Sequence, residues 1–214
     1  MSKSIFISGI DTDAGKSYVT GWLAKTLAES GKRVATMKFI QTGNTGRSED
    51  IEVHRRIMGH ALPEDADLTT APVIYTYPAS PHLSAMIDRR PIDFNAIERS
   101  RALLESRYDV VLIEGAGGLM VPLSDNMLTI DYPVEHKLPV ILVTNGRLGS
   151  ISHTILSLEA IAARGLKLDR VIYNKYFDTD KVIAPDTHRY IAQYLRKHFP
   201  GVEMIDCPVI SKED

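Results

Sequence analysis

The sequence predicts a doubly wound α/β fold, a mostly parallel sheet with helices on both faces, from three features. Short β-rich runs alternate with helix-like segments, the central runs are apolar at consecutive positions, and a glycine-rich loop joins the first run to the first helix. Alternation of strand and helix favours parallel strands joined by crossovers. Runs such as Val110-Val111-Leu112-Ile113 and Val140-Ile141-Leu142-Val143 are apolar at every position, so both strand faces need cover.

Taken in chain order, the first strand is expected over Ile5 to Ser8 and the first helix over Lys16 to Ser30. That helix places Val19, Trp22, Leu23 and Leu27 on one face and ends where Gly31 can cap it. Further strands are expected over Arg33 to Met37, Asp109 to Ile113, Pro139 to Thr144 and Arg170 to Tyr173. Helical spacing marks Glu49 to Met58, Phe94 to Ser106, Ile151 to Arg164 and Pro185 to Lys197. Gly59 to Pro91, rich in Pro, Ala and Thr, reads as a loop-rich excursion over the sheet. No repeat, linker or low-complexity tract divides the 214 residues, so a single domain is expected.

Composition narrows the function. With 25 basic and 27 acidic residues and no run of like charge, a polyanion-binding surface is not indicated, which argues against nucleic acid as the main partner. Cys207 is the one cysteine and has no disulfide partner in the chain; together with the lack of a secretory apolar core, it suggests a reducing, cytoplasmic setting. Even Leu138 to Val143 stops far short of the ~20 apolar residues that cross a bilayer, so no membrane partner is expected.

The most informative segment is Gly9-Ile10-Asp11-Thr12-Asp13-Ala14-Gly15-Lys16-Ser17, between the first strand and the first helix. Two glycines permit a tight backbone whose amides face a phosphate, the helix start adds its positive dipole end, and Lys16 reaches terminal phosphates. Ser17 supplies a hydroxyl for magnesium. Five residues separate the glycines where the usual phosphate loop has four, so the strand and helix on either side carry the assignment. A mere turn with a solvated lysine is the bland alternative, but the helix dipole disfavours a cation in the first turn unless an anion sits there. The fold class is therefore P-loop NTPase-like.

Three further charged residues stand out, two of them at the carboxyl ends of strands, where such folds bind ligands. Glu114 follows four apolar strand residues and precedes Gly115-Ala116-Gly117-Gly118; a carboxylate there is costly unless paired or metal-bound. Lys38 closes the second strand, in position to stabilise a moving phosphoryl group. Asp50 lies near a helix start, where capping alone explains an acidic residue. The seven histidines form no HExxH or Cys/His spacing, and most read as surface or core residues. No GxSxG occurs, and Cys207 has no nucleophile context.

The set of motifs resembles the dethiobiotin synthetase family along nearly the whole chain. The resemblance rests on Gly9 through Ser17, Lys38 with Thr42-Gly43, Ser80-Pro81-His82, Glu114 through Gly118 with Val121-Pro122-Leu123, and Leu138 to Val143 followed by Leu148-Gly149. It implies that 7,8-diaminononanoate takes up CO2 as a carbamate, ATP phosphorylates the carbamate, and the second amine closes a cyclic urea. By the same resemblance Ser17, Asp50 and Glu114 would hold Mg2+, and Lys16 and Lys38 would be catalytic. ATP would meet Asp13, Ala14, Gly15, Lys16, Ser17, Tyr18, Asp50, Glu114, Gly115, Ala116 and Gly117, with Asn174 and Pro208, Val209 and Ile210 around the base. Lys38 and Thr42 would meet the diamine or its carbamate. A homodimer is implied, in which the helix start at Gly149, Ser150 and Ile151, extending to His153, receives the substrate carboxylate of the neighbouring subunit; a helix N-terminus suits an anion. Phe39 and Gln41 depart from the family, which has Pro and a small residue there, and are expected to border the diamine site. Lys175 stands after Asn174 in place of a common Asp.

Two other readings compete. A cobyrinic acid amidase-type synthase would need a glutaminase domain for which 214 residues leave no room. A ParA- or MinD-like nucleotide switch would carry a signature lysine early in the loop, where Ile10 and Asp11 stand, and a basic surface or C-terminal membrane helix.

Overall fold

The computed structural model describes residues 3–209. Its main sheet has six parallel strands: β1 (Ser4–Gly9), β2 (Val34–Lys38), β5 (Val110–Gly118), β8 (Val140–Asn145), β9 (Leu168–Asn174) and β10 (Glu203–Cys207). They lie in the order β10-β9-β8-β1-β5-β2. Between them run α1 (Lys16–Glu29), α2 (Glu49–Met58), α3 (Pro81–Ile87), α4 (Phe94–Arg107), α5 (Asp131–Glu135), α6 (Ser150–Ala163) and α7 (Ile183–His198). Two small ladders complete the fold, β3 (Gln41–Thr42) with β4 (Ile74–Tyr75), and β6 (Pro122–Ser124) with β7 (Met127–Leu128).

The consecutive apolar positions divide between two cores. Ile7, Leu112, Ile141, Val143 and Ile172 pack with Val19, Leu23 and Ala24 of α1 and Met58 of α2 on one face. Phe6, Val111, Ile113, Val140, Leu142 and Val171 pack on the other with Ile97 and Leu104 of α4, Leu158 and Ile161 of α6, and Ile191 and Leu195 of α7. Strand side chains alternate between faces, so an apolar residue at every position serves a sheet covered twice. Helix α1 ends as expected, with Gly31 at φ 86 and its amide bonded to the Ala28 carbonyl.

Four differences from expectation have local causes. β5 runs on to Gly118 instead of stopping before Glu114, because the glycines continue the ladder and Gly118 pairs with Gly9. The edge strand β10 was not anticipated: Glu203 and Asp206 interrupt its apolar pattern, as suits an edge facing solvent. α5 is five residues long with Pro133 inside it, too short to show a period. The 59–91 excursion is ordered more than its composition suggests, through the β3–β4 ladder, a 3-10 turn at Pro63–Asp65 and α3. Buried Glu64 ties the turn to Arg107 and Tyr108 at 2.8 Å each. No helix among the described residues is long and apolar enough to cross a membrane.

Cys207 ends β10 with no exposed surface, and burial pushes its thiol up to about 12. A soluble aromatic disulfide at pH 8 should therefore leave the native protein unlabelled and react with one thiol per chain only on denaturation, followed by absorbance.

Candidate active site

The phosphate loop spans the end of β1 and the start of α1. Gly15 caps the helix at φ 85, and a Cβ there would come within 2.2 Å of the Asn174 amide nitrogen. Both the left-handed backbone and the close approach demand glycine. No side chain caps α1 and no acidic residue occupies its first turn, so its amides and positive dipole end remain available to an anion. The Lys16 ammonium folds over the loop onto the carbonyls of Asp11 and Thr12, at 3.1 and 3.0 Å. Burial, followed by repulsion from Lys38, lowers its pKa to about 8.

Beside the loop the ends of β2, α2 and β5 bring three charged side chains together against Ser17 of α1. Register pairs Lys38 with Glu114 across β2 and β5. The Lys38 ammonium lies 2.8 Å from Glu114 Oε1 and 2.5 Å from Asp50 Oδ2, and donates to the Gly115 carbonyl at 3.1 Å. The Ser17 hydroxyl stands 2.7 Å from Asp50 Oδ1 and 2.9 Å from Glu114 Oε1. Burial opposes charge on Glu114, but the Lys38 charge and a hydrogen bond from His54 hold it well below the usual carboxylate range. Lys38 answers in kind: burial alone would lower its pKa, yet Glu114 and Asp50 raise it. The pair is thus ionised and nearly dry, a geometry that survives only through mutual neutralisation.

Most of the expected site residues converge on one cleft of 490 Å³. Asp13, Gly15, Lys16, Ser17, Tyr18, Lys38, Thr42, Asp50, Glu114, Ala116 and Gly117 line it, together with Thr12, Ile40, Gln41, Val53 and Phe177. Ala14 and Gly115 are buried behind the wall, contributing carbonyls to Asn174 and Lys38. Asn174 braces the loop from outside the cleft, its amide donating to the Ala14 carbonyl at 3.3 Å while its oxygen accepts from the Tyr176 amide. Pro208 accepts from the Tyr18 hydroxyl at 3.3 Å, and Val209 is exposed; neither lines the cleft, and Ile210 lies outside the described residues. Gly149, Ser150 and Ile151 form the start of α6 away from this chain's cleft, and the Ser150 hydroxyl donates to Asn145 Oδ1 at 2.7 Å.

Phe39 corrects an expectation: it does not border the cleft but packs in the core, its ring 4.5 Å from that of Tyr132 and 5.5 Å from Phe6. It follows the end of β2 directly and joins Met37 and Ile40 in the core. Ser80-Pro81-His82 and Val121-Pro122-Leu123 stay off the cleft as well; α3 packs on β6, and His82 and Leu123 line one shared groove.

One histidine of the core touches the site from behind. His54 is wholly buried on α2, its Nε2 2.6 Å from Glu114 Oε2 and its Nδ1 3.0 Å from the Thr36 hydroxyl. Its signal was the spacing of four from Asp50, which puts both on one helix face. Arg147 was also missed. It follows β8, donates to the Asp13 carbonyl at 2.9 Å, and lays its guanidinium over the Phe177 ring at 4.6 Å.

Fold and cleft together define a P-loop nucleotide-binding protein with an acidic, lysine-bridged pocket at the phosphate end. A family model described as an AAA domain matches residues 3–205. The chain is 48% identical to the ATP-dependent dethiobiotin synthetase BioD 2 of Pasteurella multocida, covering 94% of this chain and 95% of that protein. It is 49% identical to the ATP-dependent dethiobiotin synthetase BioD of Chlorobaculum tepidum, covering 95% and 84%. The chain belongs to the dethiobiotin synthetase family. Among solved structures, a plasmid partition protein of Borrelia burgdorferi bound to AMPPNP superposes with a TM-score of 0.55 at 16% identity, over 96% of this chain and 87% of that one. A ParA family ATPase of Chlorobium tepidum gives 0.52 at 15%, over 97% and 86%. At these identities the likeness is one of fold alone.

Replacing Lys38 by Met keeps the side-chain length but leaves two carboxylates facing each other. Urea unfolding of that variant at neutral pH should show a loss of about 3–5 kcal/mol, the cost of stripping one partner from a buried pair.

Proposed function

We propose that this chain, acting as one ligase unit, closes the cyclic urea of dethiobiotin from 7,8-diaminononanoate, CO2 and ATP, releasing ADP and phosphate. The single observation behind this reading is the convergence of two buried lysines and two carboxylates on the phosphate loop. The reaction must bring a carbamate and a triphosphate, both anionic, within bonding distance. Repulsion between them is the first barrier, and Lys16 and Lys38 are the groups available to offset it.

In this scheme a neutral amine of the diamine adds to CO2 and gives up a proton to leave a carbamate. A carbamate oxygen attacks the γ-phosphorus, ADP departs, and the carbamoyl phosphate is left with a good leaving group. The second amine then attacks the carbonyl carbon, forming the second C–N bond of the ring and expelling phosphate. Lys16 would follow the terminal phosphates and Lys38, beside Thr42, would face the carbamate. Asn174 would hold the loop in its phosphate-ready shape through Ala14, near the base.

Ser17, Asp50 and Glu114 present an all-oxygen donor set, with the Ser17 hydroxyl 2.7 and 2.9 Å from the two carboxylates, which fits a hard cation such as Mg2+. Bound there, Mg2+ would neutralise charge on the transferring phosphoryl group. For the proposed homodimer, the start of α6 at Gly149, Ser150 and Ile151 would take a substrate carboxylate from the neighbouring copy. Leu148, Leu156 and Met120, which are 85%, 65% and 51% exposed, supply apolar surface around that helix.

Phosphate release from Mg-ATP and bicarbonate should depend on 7,8-diaminononanoate and yield a product of dethiobiotin mass; diamine-independent hydrolysis with no new mass would leave a nucleotide switch. Lys16→Ala should drop turnover below detection in the same assay, with weakened nucleotide binding by calorimetry. Leu156→Arg should shift sedimentation equilibrium from dimer towards monomer, and an unchanged dimer would put the interface elsewhere.

A further inference from the structure

Nothing in the phosphate loop or the ion pair calls for a histidine, yet His54 has no exposed surface and its imidazole is fully engaged. The two oxygens of Glu114 have different partners. Oε1 meets Ser17 and Lys38, both on the cleft wall. Oε2 points away from the cleft onto His54 Nε2 at 2.6 Å. A carboxylate only accepts, so Nε2 carries the hydrogen and donates it. The imidazole is itself held. Its Nδ1 lies 3.0 Å from the Thr36 hydroxyl, which accepts from Arg55 Nη1 at 2.7 Å. Arg55 forks onto Asp65 at 2.7 and 2.8 Å, and Asp65 also takes the Leu62 amide and the Thr70 hydroxyl, each at 2.8 Å. The chain of contacts runs from the 3-10 turn to the cleft without a break.

We infer that His54 is a positioning residue that withdraws Glu114 Oε2 from the cleft, so that Glu114 offers the nucleotide-bound cation a single oxygen. Without the bond the carboxylate is free to turn about its last torsion, which is broad for such groups, and to present both oxygens. One oxygen per carboxylate suits the strict octahedral demand of Mg2+; two suit the larger, more permissive Ca2+. Partners of this kind, one bond behind a ligand, act through orientation. The inference rests on Glu114 facing a metal, as proposed above.

The test separates the two nitrogens. In H54Q the amide nitrogen falls near the position of Nε2 and keeps a donor for Glu114. In H54N it falls near Nδ1 and reaches Thr36 only, while H54L keeps bulk and no donor. The probe is a non-hydrolysable ATP analogue, and the readout is its affinity by calorimetry with Mg2+, with Ca2+ and with chelator. Affinity in chelator reports an intact cleft and should be the same in all forms. The gain conferred by Mg2+ should fall roughly 10- to 100-fold in H54L and H54N and stay within about threefold of wild type in H54Q. Preference for Mg2+ over Ca2+ should narrow in the same two variants. A wild-type Mg2+ gain in H54N, or a loss in H54Q equal to that in H54L, overturns the inference. If the unaltered protein gains nothing from Mg2+, the metal reading of Glu114 fails first, and this role for His54 falls with it.

Discussion

The structure turns on the contact between Lys38 and Glu114. Two strand ends meet in register, β2 and β5, and each delivers a charge to nearly the same dry place. Neither charge is tolerable there alone. Their attraction fixes the end of β2 beside the phosphate loop, brings Asp50 in from α2, and gives Ser17 two carboxylates to bridge. The sheet places the residues, and the pair then holds that corner of the sheet to one geometry.

Around this contact the loop is braced from three sides. Asn174 reaches it from β9, Arg147 from the segment after β8, and the Lys16 ammonium from its own helix. All three bond to loop carbonyls. A loop whose carbonyls are held and whose helix start is left uncapped is arranged to receive an anion before any arrives. Preorganisation of this sort lowers what binding must spend on ordering.

Much of this was legible in the sequence because its signals are local. The loop between β1 and α1 shows itself by glycine placement and by the strand and helix that flank it. Continuous apolar runs announced a sheet covered on both faces, and the two core clusters confirm it residue by residue. What escaped notice depends on contacts distant in sequence. His54 meets Glu114 across 60 positions, and Arg147 meets the loop across 134. No spacing rule spans such intervals, and the one local hint was the place of His54 four residues after Asp50 on one helix face. Phe39 misled for the opposite reason: its neighbour Lys38 is at the site, but the next residue, just past β2, turns its side chain into the core. Beta-strand β10 was lost because an edge strand carries charge where a central one would carry valine.

The two-residue ladder between β3 and β4 has a wider meaning. Thr42 and Gln41 would pass for loop residues by composition, yet their backbone is paired with Tyr75 and Ile74. Tyr75 is fully buried and its hydroxyl donates to the Arg90 carbonyl at 3.1 Å, so the ladder is anchored at its far side too. The stretch of cleft wall that Gln41 and Thr42 form is therefore a scrap of sheet instead of a lid. A molecule docking against it finds the chain already ordered, and the entropy of arranging that wall was surrendered when the protein folded.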